Sequence, residues 1–217
     1  MDKFKTTAST KQLERVKSNL EKNNMTGYIA QTKEEAVKIA TSILKEGTTV
    51  ASGGSMTLEE CGMMTELRSG KYNYLDREAV VDKKALYRQS FSADFYMCSA
   101  NAITEKGEIY NVDGNSNRVA CICHGPDKVV LIVGRNKVVK DLDEAAARVK
   151  RYASPANCQR LSCKTPCYET GVCIGVNGSM ADGCKGDGRI CCNYVVTAYQ
   201  RDKERMHIIL VNEELGY

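Results

Sequence analysis

Apolar positions along this 217-residue chain follow two periods, one helical and one extended. Over residues 8–23 they fall at Leu13, Val16 and Leu20, a single helical stripe, with Asn23 and Asn24 at its exit. A second helix opens at Thr32-Lys-Glu-Glu35 as a capping box, buries Ala36, Ile39, Ala40 and Ile43, and ends at Gly47. Residues 82–87 and 141–152 read as further helices, the latter with acids in its first turn and bases in its last, as the helix dipole prefers; Pro155 marks its exit. Between the helices lie short strand-forming runs at 27–30, 48–51, 95–98, 129–133, 194–199 and 207–211. Those at 95–98 and 129–133 are apolar throughout, which suits strands covered on both faces of a parallel sheet. The alternation predicts one α/β domain over 1–217: a single open, mostly parallel sheet flanked by helices, preceded by a helix at about 8–24.

Polar chemistry gathers where the strands stop. The run at 95–98 gives way to Ser99, Asn101, Thr104 and Glu105, and the run at 129–133 gives way to Arg135, Asn136 and Lys137. In an open α/β sheet the crevice beyond the strands' carboxyl ends takes the ligand. Between these runs, Lys106-Gly107 and Asp113-Gly114-Asn115 read as turns around a short strand at 108–112. A plain hairpin would explain the turns, but it needs few of the recognition groups packed here: Asn101, Thr104, Glu105, Asp113, Asn115, Asn117 and Arg118. A second pointer is Ser52-Gly53-Gly54-Ser55, a glycine-rich passage from strand to helix that presents backbone N–H groups to phosphate or carboxylate. It matches neither a Walker loop nor the dinucleotide Gly-x-Gly-x-x-Gly, and a tight connection would also explain it.

From about 155 to 193 the composition changes. Seven of the eleven cysteines fall there, at 158, 163, 167, 173, 184, 191 and 192, interleaved with glycines. The strands at 194–199 and 207–211 then rejoin the sheet, so the cysteine-rich segment is an excursion from one domain. With too few apolar residues to fold by burial, it needs a cross-link. The spacing lacks the paired Cys-x-x-Cys of a zinc ribbon and the close run of a bacterial ferredoxin, leaving metal, disulfide and free thiol open.

Composition narrows the classes. At 42% hydrophobic the chain can build one substantial core, and its net charge of +4 is spread with both signs, so no nucleic-acid stripe stands out. No apolar run reaches the roughly 18 residues of a membrane span, and the start lacks the pattern of a signal peptide. A cytoplasmic protein without membrane contact is expected. That compartment disfavours structural disulfides.

Four stretches together resemble the LUD, or lactate-utilisation, family: Ser-Gly-Gly-Ser-Met-Thr-Leu-Glu-Glu at 52–60, Ser-Ala-Asn-Ala-Ile-Thr-Glu-Lys-Gly at 99–107, Asp-Gly-Asn-Ser-Asn-Arg-Val at 113–119 and Val-Gly-Arg-Asn-Lys at 133–137. The ending at 211–217 is also similar, and the likeness runs from about Lys11 to Tyr217. It implies the fold of ribose-5-phosphate isomerases, glucosamine-6-phosphate deaminases and CoA transferases. It also implies a part in oxidising lactate or a related 2-hydroxy acid, binding a small anionic or phosphorylated molecule beside iron–sulfur oxidoreductase subunits. Pro166-Cys167, Gly171-Val-Cys173 and Arg189-Ile-Cys191 are similar to a succession in that family, which with Cys184 marks Cys167, Cys173, Cys184 and Cys191 as candidate ligands for zinc or an iron–sulfur cluster. The glycine-rich stretch between Cys173 and Cys184 is longer than in that pattern.

The expected site therefore comprises Gly53, Gly54, Ser55, Thr104, Asp113, Asn115, Arg118 and Lys137 as ligand-binding groups, with Glu105 and Asn101 as catalytic candidates. In a CoA transferase or sugar-phosphate isomerase reading, Glu105 would attack an acyl group or move a proton next to a carbonyl; as a turn carboxylate it would do neither. A metal-binding regulatory module is a further alternative. Thiol-redox chemistry lacks a Cys-x-x-Cys, and Cys121 and Cys123 alternate on an expected strand as small buried hydrophobes. His124 and His207 are the only histidines, too few for a histidine-rich metal site.

Overall fold

A computed structural model describes residues 2–217. Helix α1 (Lys3–Lys22) starts well before its apolar stripe because Asp2 accepts the Phe4 N–H; only Leu13, Val16 and Leu20 are buried. Strand β1 (Thr26–Ala30) leads to α2 (Lys33–Ile43). There Thr32 accepts the Glu35 N–H, but the Glu35 carboxylate turns to the Gln31 N–H, one residue short of a full capping box. Beyond β2 (Thr49–Ser52) the expected single helix is two, α3 (Met56–Glu60) and α4 (Met63–Leu67), parted by Gly62 at φ 82°. Next come β3 (Asn73–Leu75), too short to stand out in the sequence, then α5 (Lys83–Gln89), capped by Asp82, and β4 (Phe95–Cys98).

A hairpin of β5 (Ala102–Thr104) and β6 (Ile109–Asp113) follows, then α6 (Asn117–Cys123). The extended reading of Cys121 and Cys123 is thus corrected: the Asp113 carboxylate accepts four N–H groups at the start of a helical turn, which buries Cys121 and exposes Cys123. After β7 (Lys128–Gly134) and the brief β8 (Val138–Val139), α7 (Leu142–Arg148) begins at an Asp141 cap. Pro155 does not end it. A π turn over Val149–Ala153 shifts the hydrogen bonding, so that the Ser154 N–H reaches the Val149 carbonyl, and the chain runs on through α8 (Ser154–Leu161). The shift absorbs the donor that proline lacks. Helix α9 (Pro166–Thr170), an irregular glycine-rich loop, β9 (Asn193–Thr197) and β10 (Met206–Val211) complete the chain.

Six strands form a parallel sheet in the order β1-β10-β7-β4-β2-β3. All of β4 and β10 and nearly all of β7 are buried, as their unbroken apolar runs require. Each fully buried Leu, Ile or Val there contributes about 1.5–3 kcal/mol of hydrophobic stabilisation. One face carries a core with Leu13, Val16 and Leu20 of α1, the other a core with Ala36, Ala40, Leu58 and Leu67. The single-sheet expectation needs one correction. The hairpin, β8 and β9 form a second, four-stranded sheet in the order β8-β5-β6-β9, with its own small core of Ala102, Tyr110, Val112, Val139, Ala145 and Val149. Of the two late strands, β10 enters the parallel sheet and β9 pairs with β6 instead.

Candidate functional site

Strands β2, β4 and β7 lie side by side and run parallel, so their carboxyl ends open on one edge. Gly54 and Ser55 beyond β2, Ser99 to Asn101 beyond β4 and Lys137 beyond β7 line one cavity of about 320 Å³. The far end of the hairpin adds Asp113, Asn115, Asn117 and Arg118; α8 adds Ser154, Asn157 and Arg160; Arg77, Cys191 and Tyr217 close the wall.

Charge in this wall is one-sided. Arg118, Arg160, Lys137 and Arg77, the last also paired with Glu78 at 3.1 Å, line it with a single side-chain carboxylate, Asp113, whose oxygens already accept the N–H groups of Asn115, Ser116, Arg118 and Val119 at 3.0–3.2 Å. Arg118 ties the strand ends together: it donates to the Ser99 carbonyl at 3.3 Å, the Asn101 Oδ1 at 3.0 Å, the Val112 carbonyl at 2.7 Å and the Asn111 Oδ1. Asn101 Oδ1 also accepts the Val112 N–H at 2.8 Å, so its carbonyl end is a clamp between the sheets. Arg160 donates to Asn157 Oδ1 and Tyr217 Oη. These partners are neutral acceptors, which leave the positive charge of Arg118 and Arg160 uncancelled.

Lys137 is 3% exposed, and its Nζ donates to Thr57 Oγ1 at 2.7 Å and Ser99 Oγ at 3.2 Å. Burial, then the Arg148 and Arg118 guanidinium groups, bring its pKa down to about 7. Burial likewise lowers Arg148 to about 10.

Several expected groups have other tasks. Gly53 lies just behind the wall, where a Cβ would meet Arg118 Cδ at 2.9 Å; at Gly54 a Cβ would stand 2.5 Å from Arg77 Nη1. Both glycines thus let an arginine pack on the loop. Ser55 caps α3 by accepting the Leu58 N–H. Thr104 is buried and pairs with Glu108. Glu105 is outside the cavity: its carboxylate takes Gln12 Nε2 at 3.0 Å and lies 4.0 Å from Arg15, and its carbonyl takes Asn19 Nδ2, all on α1. His124 is exposed at the end of α6, and His207 is buried against Tyr28. Arg77, Asn157, Arg160 and Tyr217 were not foreseen, since no local motif marks a residue brought in by the path of the chain.

Against this cavity lies a second, narrow one whose lining includes Cys158, Cys167, Cys173, Cys184 and Cys191. Cys191, Ile190 and Ser154 belong to both walls. Cys167 Sγ is 3.5 Å from Cys158 Sγ, with Thr165 Oγ1 3.3 Å from each, and Ser154 Oγ is 2.9 Å from Cys191 Sγ. All eleven cysteines are free thiols. The surrounding loop is held through its carbonyls: Lys150 Nζ reaches Gly175 and Ser179, and Arg189 reaches Ala181, Cys184 and Cys191. Burial pushes the Cys158 thiol up to about 12 and also raises Cys184 and Cys191. Among the described residues, no group of three or more histidine, cysteine or acidic side chains is drawn together tightly enough to hold a metal ion. Cysteine is the ligand type a thiophilic metal takes: five cysteines belong to the lining of this one narrow space, and the buried Tyr110 hydroxyl in its wall has no hydrogen-bond partner.

A family model described as the LUD domain matches residues 13–211. Among solved structures the chain is similar to a DUF162 family protein from Deinococcus radiodurans, at 12% identity, with 94% of this chain and 98% of that chain covered and a TM-score of 0.53. At that identity the likeness is one of fold. No curated protein matches. No helix among the described residues is long and apolar enough to cross a membrane.

Proposed function

Because the chain belongs to the LUD domain family, we propose that its main cavity binds a small organic anion, a 2-hydroxy acid such as lactate or the matching 2-oxo acid, within a lactate-utilisation system. The observation that carries this reading is the charge of the wall: the guanidinium groups of Arg118 and Arg160, whose side-chain partners are neutral, and that of Arg77, which also pairs with Glu78 outside the wall, against one side-chain carboxylate already capped by backbone N–H groups. A carboxylate or phosphate in that space gains charge-assisted hydrogen bonds, about twice as strong as neutral ones. The acyl-transfer alternative has less support, because Glu105 faces α1 and the cavity lacks a free carboxylate nucleophile.

Calorimetric titration with lactate, pyruvate and phosphate tests the reading. We expect binding of at least one of these anions, weakened about tenfold in Arg160→Gln, the loss of one charge-assisted contact. No heat with any of the three would reject it.

The thiol cavity supports a second component, a zinc ion or iron–sulfur cluster held by Cys167, Cys173, Cys184 and Cys191, with Cys158 beside them. Zinc would stitch the loop together, and a cluster would add electron transfer. Iron–sulfur oxidoreductase subunits are the proposed partners; exposed Tyr152, Leu161, Tyr168, Val172, Ile174 and Met180 fall in the stretch around this cavity and offer apolar contact surface.

A further inference from the structure

Lys137 differs from the other cations of the main cavity. Arg118 and Arg160 carry permanent charges, whereas an amine can become a nucleophile once it loses its proton. The surroundings favour that loss. Lys137 is buried, pairs with no carboxylate among the described residues, and is held by two hydroxyl groups, Thr57 Oγ1 and Ser99 Oγ. The charged and titratable groups around it are Arg148 of α7 and Arg118 of α6, which disfavour a third positive charge, and more weakly Glu60 of α3 and the Cys98 thiol of β4. At pH 7 a large fraction of the amine is therefore neutral. An exposed lysine holds well under one part in a thousand in that form.

The same cavity offers what a carbonyl acid needs beside such an amine. Arg77 and Arg160 can take a carboxylate, and Ser99 stands next to the amine with a hydroxyl able to pass a proton. We infer that Lys137 forms a covalent imine with a 2-oxo acid bound in the cavity. The Lys137 nitrogen lone pair attacks the carbonyl carbon, and the carbonyl π electrons move to oxygen, which takes up a proton. That proton comes from the attacking nitrogen; the carbinolamine hydroxyl then leaves as water with the one N–H proton that remains, leaving C=N. The sum is amine plus carbonyl giving imine plus water, with no change of oxidation state. This rests on the reading of the cavity as an organic-anion site and adds the substrate's functional group, a carbonyl next to the carboxylate.

The test is reductive trapping. Whole protein is incubated at pH 7 with pyruvate and cyanoborohydride, then digested and mapped by mass spectrometry. The expected result is alkylation of Lys137 at least about tenfold faster than the median of the other lysines, in line with its larger neutral fraction. Acetone, which lacks the carboxylate, should keep only the part of that preference due to the neutral amine and label Lys137 well below the pyruvate level, and Lys137→Arg should lose the major adduct. Label spread evenly over the lysines, or Lys137 left unmodified, overturns the inference. The map of the wild-type protein decides this even if the variant fails to fold. Pyruvate heat without Lys137 label would leave the anion site standing and remove only the imine; neither heat nor label would remove both.

Discussion

Buried beneath strand ends whose other cations are arginines, Lys137 should leave a mark on stability as well as chemistry. Its pKa is about 7 folded and near 10.5 unfolded, so between those values the unfolded chain binds more protons. Stability therefore rises with pH through this window, by up to about 1.4 kcal/mol per pH unit, and the full cost of burying the charge is present below about pH 7. The buried thiols act oppositely above about pH 9, because Cys98 and Cys158 stay protonated when folded. Urea titrations at pH 7.0 and 8.5 separate the two. The wild type should gain about 1–2 kcal/mol over that interval relative to Lys137→Met; an equal pH slope in both proteins would show that the amine titrates normally. At this scale the sequence indicated which residues carry chemistry better than where they point. Asn101, Asp113, Arg118 and Lys137 stand out as polar groups following strands and do line the cavity. Glu105 stands out equally, yet its turn faces α1, a direction set by Gly107 at φ 80° against the α1 backbone and not by any local motif.

Among the elements, those with unbroken apolar runs or strong caps were legible and those shaped by tertiary demands were not. Strands β4, β7 and β10 read directly, as did α5 and α7 with their Asp82 and Asp141 caps. Helix α6 did not, because its start depends on Asp113 at the end of the preceding strand. The continuation through Pro155 was hidden as well, since a π turn is a packing response. That continuation matters chemically: it carries Ser154 and Cys158 to the thiol cavity and Asn157 and Arg160 to the strand-end cavity. Of the cysteines in this region, Cys163 and Cys192 lie off the thiol cavity, which gives the metal proposal an internal control. Protein prepared without oxygen should hold about one equivalent of zinc, or iron with sulfide. Cys167→Ser and Cys191→Ser should lose it, while Cys163→Ser and Cys192→Ser keep it. Elemental analysis showing no metal, with all eleven thiols free to a titrant, would end the proposal.

The whole molecule brings these parts together through its topology. Strands from distant parts of the sequence become neighbours in the β7-β4-β2 segment of the parallel sheet, and their ends supply three sides of one cavity. The second sheet and α8 supply the rest, and Cys191 belongs to the walls of both this cavity and the thiol cavity. Alternation of helix and strand made the parallel sheet legible, but the second sheet was not, because β8 has two residues and β9 reads as well for either sheet. In the function proposed for this protein, the organic anion sits in the strand-end cavity. A crystal structure of the protein soaked with pyruvate decides whether it does. Density for the acid is expected inside the cavity, its carboxylate toward Arg77 and Arg160 and its carbonyl toward Lys137; a cavity holding only water at saturating pyruvate, with the acid bound elsewhere or nowhere, would contradict it.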